Sequence, residues 1–291
     1  MTRWWPVWSV VLLWGCGAPD ATPSVFGPQV LDAIADTGTD IGPASDATVT
    51  TGFAGTWALA TDWSTCVQLG SNAVELRSYK LLKVEVEAHG TTLRERRTLC
   101  AANNTPLLGQ LTVLPQPLID NMPLLELDST VTGDAKGDVY HGGIEVQPIG
   151  VKLANPIHDA MPTSPGDPRI VDHEADGNPG GTMQIGQICQ LYVANRAISS
   201  LHGSFTAPGR IEGGGYHFTE QLVLGGSSAF CQQSFPTVSN HPHHAFVMQR
   251  ASGWDSDGDG KVSCAEIVSR QAQFVQWRTP DNGRCPPPPE P

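Results

Sequence analysis

The chain has 291 residues, 40% hydrophobic and 16% charged, with 31 Gly, 24 Pro, seven Cys and a formal net charge of −12. Low charge and frequent Gly and Pro exclude a coiled coil, and 17 Lys+Arg against 29 Asp+Glu exclude a protein that grips nucleic acid through a basic face. The length suffices for one large or two small domains with a buried core, and the Gly/Pro content points to strands and turns.

In chain order, Arg3 precedes Trp4–Trp14, an uncharged apolar run of 11 residues. A bilayer-spanning helix needs about 20, so residues 1–15 read as a secretory signal peptide. The run ends in Leu13-Trp14-Gly15-Cys16, which resembles the bacterial lipobox, with Trp14 where that family places a small or aliphatic residue. The resemblance implies cleavage before Cys16, lipidation of Cys16 (palmitate among its acyl chains) and a membrane anchor. Gly17, rather than Asp, implies outer-membrane sorting by similarity to Gram-negative lipoproteins. The expectation is an exported protein, held on a membrane through Cys16 and without a nucleic-acid partner. Residues 17–52 hold five Asp and no Lys or Arg, and their few large apolar side chains cannot offset the entropy of ordering. Residues 16–52 are therefore expected to form a disordered acidic tether, with a reach of about 30–35 Å.

Residues 53–245 read as mainly β, an antiparallel sandwich or barrel-like domain. Leu82, Val84, Val86 and Ala88 alternate with Lys83, Glu85 and Glu87, the period of a half-buried strand, and Thr91–Cys100 is its expected antiparallel partner. Further strands are expected at Gly55–Ala60, Gln110–Leu114, Leu124–Asp128, Val139–Val146, Thr182–Val193, Ser200–Thr206, Tyr216–Leu224 and Ala229–Gln233. Pro208-Gly209 and Gly213-Gly214-Gly215 are expected breakers. Gly55-Thr56-Trp57 resembles the G-x-W opening of lipocalins, although the chain is longer than one such barrel needs. On their own terms these residues place a Trp at one end of a β core.

Beyond Cys16, six cysteines remain, an even number that suits three disulfides in an exported chain. Pairing of sequence neighbours is expected: Cys66–Cys100, Cys189–Cys231 and Cys264–Cys285. There is no C-x-x-C.

The clearest chemistry lies in Asp255-Ser256-Asp257-Gly258-Asp259-Gly260-Lys261-Val262-Ser263-Cys264-Ala265-Glu266, which resembles an EF-hand loop position by position. The resemblance implies Ca²⁺ ligation by Asp255, Asp257, Asp259, the Lys261 carbonyl, Ser263 and bidentate Glu266, with Gly260 allowing the sharp turn. Hard oxygen donors favour Ca²⁺ over softer metals. The family has a full helix before its loop; here the lead-in Phe246–Trp254 is short and carries Ser252-Gly253. Stand-alone extracellular calcium loops of the dockerin or excalibur kind are equally similar, and they imply weak, structural binding. Ile267, Val268, Phe274 and Val275 predict a short amphipathic helix after the loop. Residues 246–279 thus read as a calcium loop and helix, and 280–291 as a Pro-rich tail.

Asp172, Glu174 and Asp176, followed by Gly177, form a possible second cation loop that has Met183 where the twelfth-position acid would stand. Its surroundings, from Leu153-Ala154-Asn155-Pro156 to Gly181-Thr182, are similar to envelope lipoproteins of unassigned activity that share a G-T-W-A start. Asn240-His241-Pro242-His243-His244 could ligate Zn²⁺ or Cu²⁺, but adjacent His rarely share one ion, so a solvated loop is expected. There is no G-x-S-x-G, H-E-x-x-H or S-x-x-K, and His141-Gly142-Gly143 lacks a nucleophile elbow. The reading is a non-enzymatic, lipid-anchored envelope protein with a structural calcium loop. The alternatives are a surface module for carbohydrate or protein and, less favoured, a hydrolase.

Overall fold

The computed structural model describes residues 52–285 except Ile188, Gln233 and Ser234. The signal-peptide and lipid-anchor expectations and nearly all of the tether lie outside these residues, as does the tail beyond 285; the first residues of the expected tail, 280–285, instead hold a 3-10 turn at Asn282–Arg284 and the bonded Cys285.

The protein is mainly β, with twelve strands in one antiparallel sheet and a short helical segment near the C-terminus. The strands are β1 (Gly55–Leu69), β2 (Asn72–His89), β3 (Thr92–Asn104), β4 (Thr112–Val113), β5 (Leu125–Val131), β6 (Val139–His141), β7 (Glu145–Ile149), β8 (Gly181–Ile185), β9 (Cys189–Ala207), β10 (Arg210–Gly226), β11 (Thr237–Ser239) and β12 (Ala245–Arg250). The helices are α1 (Gln116–Asp120), α2 (Cys264–Ser269) and α3 (Gln271–Phe274). Pairings run β1–β2–β3–β5–β6–β9–β10–β12 and return to β1, so the sheet closes into an up-and-down barrel of eight strands and removes its own edges. β7 joins β9 midway along its length. β4, β8 and β11 extend the wall at the far ends of β1, β3 and β9.

Strand parity decides what fills the barrel. Trp57, Leu59 and Trp63 of β1 face Leu82, Val84 and Val86 of β2, with Leu93, Val131, Phe205, Ile211, Phe246 and Met248 from around the ring. Trp57 closes one end: it stacks on Phe53 at 5.0 Å, its Nε1–H donates to the Phe53 carbonyl at 2.9 Å, and the Arg250 guanidinium lies 5.9 Å from its ring. Among these apolar side chains sits a buried ionic layer. Arg97 donates to Glu95 at 2.7 Å and to Glu145 at 2.8 Å, and the Tyr140 hydroxyl donates to Glu95 at 2.8 Å.

Two smaller clusters cover the outside. Residues 151–180 pack Val151 and Leu153 on Ala194, with Leu222 and Leu224 beside them. The C-terminal segment packs Val262, Ile267 and Phe274 on Ala58, Ala60 and Leu81.

Several expectations are corrected. Gly213-Gly214-Gly215 do not break the chain but lie inside β10. A Cβ at Gly213 would meet the His202 carbonyl at 2.1 Å and the Phe246 ring at 2.8 Å, and one at Gly215 the Ser200 carbonyl at 2.4 Å and Trp63 at 3.1 Å, so these glycines let the β9 backbone and two aromatics come close. Val139–Val146 is split into β6 and β7 at Gly142-Gly143, where a Gly143 Cβ would meet the Asp128 carbonyl at 2.3 Å. Thr182–Val193 is a hairpin of β8 and β9 rather than one strand, and Ser200–Thr206 belongs to β9. Ala229–Gln232 is a 3-10 turn, not a strand, with Cys231 tied back to Cys189. Of the expected disulfides Cys189–Cys231 forms; the other two are Cys66–Cys285 and Cys100–Cys264. The chain after β12 folds back over β1–β3, which brings these distant cysteines within bonding range. The expected C-terminal helix is broken at Arg270 into α2 and α3.

Candidate functional site

The acidic loop leaves the end of β12, so a barrel strand and a turn, not a helix, lead into it. Its conformation follows from short hydrogen bonds between aspartate side chains and loop amides. Asp255 accepts from the N–H groups of Gly258 and Gly260 at 2.7 and 2.8 Å. Asp257 accepts from Asp259 N–H at 3.2 Å, and Asp259 from Lys261 N–H at 2.8 Å. These turns bring one oxygen each of Asp255, Asp257 and Asp259 within 4.8 Å of one another. Like charges this close repel, by about 1 kcal/mol per pair at 4 Å in bulk water and more where solvent is excluded. A hard cation among them would reverse the sign of that term.

The remaining expected ligands are placed differently. Lys261 is exposed, Ser263 is the N-cap of α2, and Glu266 is its N3 residue, the two completing a capping box. The Glu266 carboxylate accepts from Ser256 N–H and, at 2.8 Å, from Ser263 N–H, with both serine hydroxyls adding to it. These amides hold its pKa down to about 2. Glu266 therefore ties the two ends of the loop together and lies outside the aspartate group. Val262 and Ile267 anchor the loop to the barrel wall through apolar contact, and Cys264 anchors it covalently to Cys100 of β3.

The second acidic stretch is a network of turns. Asp172 accepts from Asp176 and Gly177 N–H at 3.1 and 2.8 Å, Asp176 from Thr182 Oγ1 at 2.7 Å, and Glu174 from Thr182 N–H at 2.5 Å. Glu174 and Asp176 share Thr182 as a partner, and among the described residues the three carboxylates do not converge as the first group does.

The histidine stretch is not the solvated loop expected. His244 is buried, with its Nδ1 2.9 Å from the Gly215 carbonyl and its Nε2 3.0 Å from that of Ser64. His241 packs against His244 and Phe218, and His217 of β10 stacks on Trp63 at 4.9 Å. Burial lowers the pKa of His217, His241 and His244, the last to about 4. Among the described residues this cluster does not bring three ligand atoms to one point.

Of the Trp residues beyond the leader, Trp57 and Trp63 are buried; Trp254 packs on Phe274 and Trp277 on Tyr79.

Lys80, Gln147 and His217, which face the barrel interior, were not among the expected site residues. The signal for Lys80 was present: the parity that places Leu82, Val84 and Val86 inward also places Lys80 there.

No protein-family model matches the chain, and no curated protein matches it. Its fold and sites define a closed antiparallel barrel with a covalently pinned acidic loop.

Proposed function

We propose that the protein is an exported, lipid-anchored envelope protein whose barrel is stabilised by one calcium ion in the Asp255–Glu266 loop, with a structural rather than catalytic role. The observation that carries this reading is the convergence of the Asp255, Asp257 and Asp259 oxygens on a volume small enough for one cation. All three donors are hard carboxylates, which fits Ca²⁺. Lys261 would add its carbonyl and Ser263 its hydroxyl. Glu266 would complete the set by exchanging its hydrogen bonds to Ser256 for the ion. Three disulfides support an oxidising compartment and thus export, while the outer-membrane anchor at Cys16 rests on the lipobox resemblance.

An extracellular loop of this kind binds at about 10⁻⁴–10⁻³ M, and ligand at ten times Kd adds about 1.4 kcal/mol to stability. The melting temperature is expected to rise in millimolar Ca²⁺ relative to EDTA. Asp257→Asn, which leaves the capping box intact, should abolish the rise, as should Glu266→Gln. Equal melting in Ca²⁺ and EDTA would overturn the calcium reading. Incorporation of labelled palmitate, lost in Cys16→Ala, tests the anchor separately.

A further inference from the structure

The half of the barrel away from Trp57 is hollow. It holds a cavity of about 420 Å³ between the ends of β1, β2, β3, β9 and β10, within the range of about 300–1,000 Å³ that small-molecule sites occupy. Its lining mixes two chemistries. Leu76, Leu114, Ile149, Met183 and Val193 are apolar, and Lys80, Gln147, Asn195 and His217 are among the polar members.

Lys80 is the unusual member. It sits on the inward row of β2, opposite Thr61 of β1 and Ala102 of β3, enclosed by protein but open to the cavity. An ammonium group has three N–H donors. One reaches Gln147 Oε1 at 2.8 Å, and no other protein acceptor takes the remaining two among the described residues. The acid whose charge reaches Lys80 is Glu145, and its carboxylate is already paired with Arg97 at 2.8 Å. Burial of this cation, opposed only by Glu145, lowers its pKa. A buried ammonium without its own counter-ion is costly, and an oxyanion supplied from outside would offset that cost.

We propose that this cavity binds a small amphipathic organic acid, its carboxylate held by Lys80 and its hydrocarbon part lying against Leu76, Leu114, Ile149, Met183 and Val193. A plain inorganic anion would leave the apolar lining residues facing water, and a pure hydrocarbon would strip water from Lys80 without replacing it. Phe235, which also lines the cavity, is 37% exposed and offers apolar surface where it opens.

Decanoate is the probe, titrated into the folded full chain by calorimetry and followed by ¹³C NMR of its labelled carboxyl. The expected result is saturable one-to-one binding, at least tenfold weaker for decanol than for decanoate and at least tenfold weaker for Lys80→Met. Met183→Trp, which keeps Lys80 but fills the cavity, should abolish binding. No saturable binding of decanoate, decanol binding as tightly as decanoate, or Lys80→Met binding decanoate as well as the wild type would each overturn the site. If Lys80→Met does not fold, the decanol comparison and Met183→Trp still decide it.

Discussion

Arg97 shows what the barrel interior asks of a single residue. It is 1% exposed and lies between Glu95 and Glu145, with the Tyr140 hydroxyl 2.9 Å from its Nη2. Burial alone would lower its pKa, but the charges of Glu95 and Glu145 raise it, so it stays a cation. Removing one partner of a buried pair leaves an uncompensated charge, which typically costs about 3–5 kcal/mol. Arg97→Met is therefore expected to lower unfolding free energy by about that amount in urea titration. Adding Glu95→Gln and Glu145→Gln to it should recover part of the loss. A loss below about 1 kcal/mol for the single variant would show that water already solvates the layer. The inward position of Arg97 follows from its register with Val84 on β2, and the strand alternation was legible as far as that. The identity of its partners was not, because Glu145 and Tyr140 approach through long-range pairing that one-dimensional periodicity does not encode.

At the scale of elements, the segment after β12 behaves as a strap. The loop and α2 are bonded to β3 through Cys100–Cys264, and the chain beyond α3 is bonded to β1 through Cys66–Cys285. Between these points Arg278 N–H donates to Asp62 at 3.2 Å and Asp281 N–H to Glu75 at 2.6 Å, while Arg77 bridges Asp62 and Glu75 at 2.7 and 2.6 Å beneath them. The loop motif and the amphipathic pattern after it were readable, since both are local. The disulfide partners were not, because the return of the strap over the barrel depends on Ile267 and Phe274 finding Ala58, Ala60 and Leu81, far away in sequence. The triple glycine misled for the same reason: locally it reads as a breaker, and only the close approach of β9 backbone, Phe246 and Trp63, all distant in sequence, explains it. The Cys100→Ala/Cys264→Ala pair is expected to cost about 2–5 kcal/mol, the range for a native disulfide closing a long loop. In the proposed calcium reading it should also weaken Ca²⁺ binding, measured by calorimetry, because the loop then loses its covalent anchor. Unchanged stability would mean that the apolar contacts of the strap hold it without the bond.

For the whole molecule, the histidines set the response to acid. His217, His241 and His244 form one cluster with Trp63, and burial lowers the pKa of each. His244 illustrates the balance: the Gly215 and Ser64 carbonyls favour its charged form, whereas burial and the charges of His241 and Arg77 oppose it more strongly. With a folded pKa of about 4 against about 6.5 when unfolded, the unfolded chain binds more protons throughout that interval. Stability is thus fully present above about pH 6.5 and is lost as pH falls toward 4. Between pH 7 and pH 5, His244 alone contributes a loss of about 2 kcal/mol, and His217 and His241 add to it in the same direction. Glu266, held at about 2, acts in the same sense, but its interval begins lower, near the ordinary carboxylate range. The unfolding free energy from urea titration should therefore fall from pH 7 to pH 5, before most carboxylates titrate. The His244→Gln variant, less stable at pH 7 for want of one ring contact, should show a shallower slope over that interval. A slope identical to that of the wild type would mean that His244 takes up its proton without disturbing the cluster.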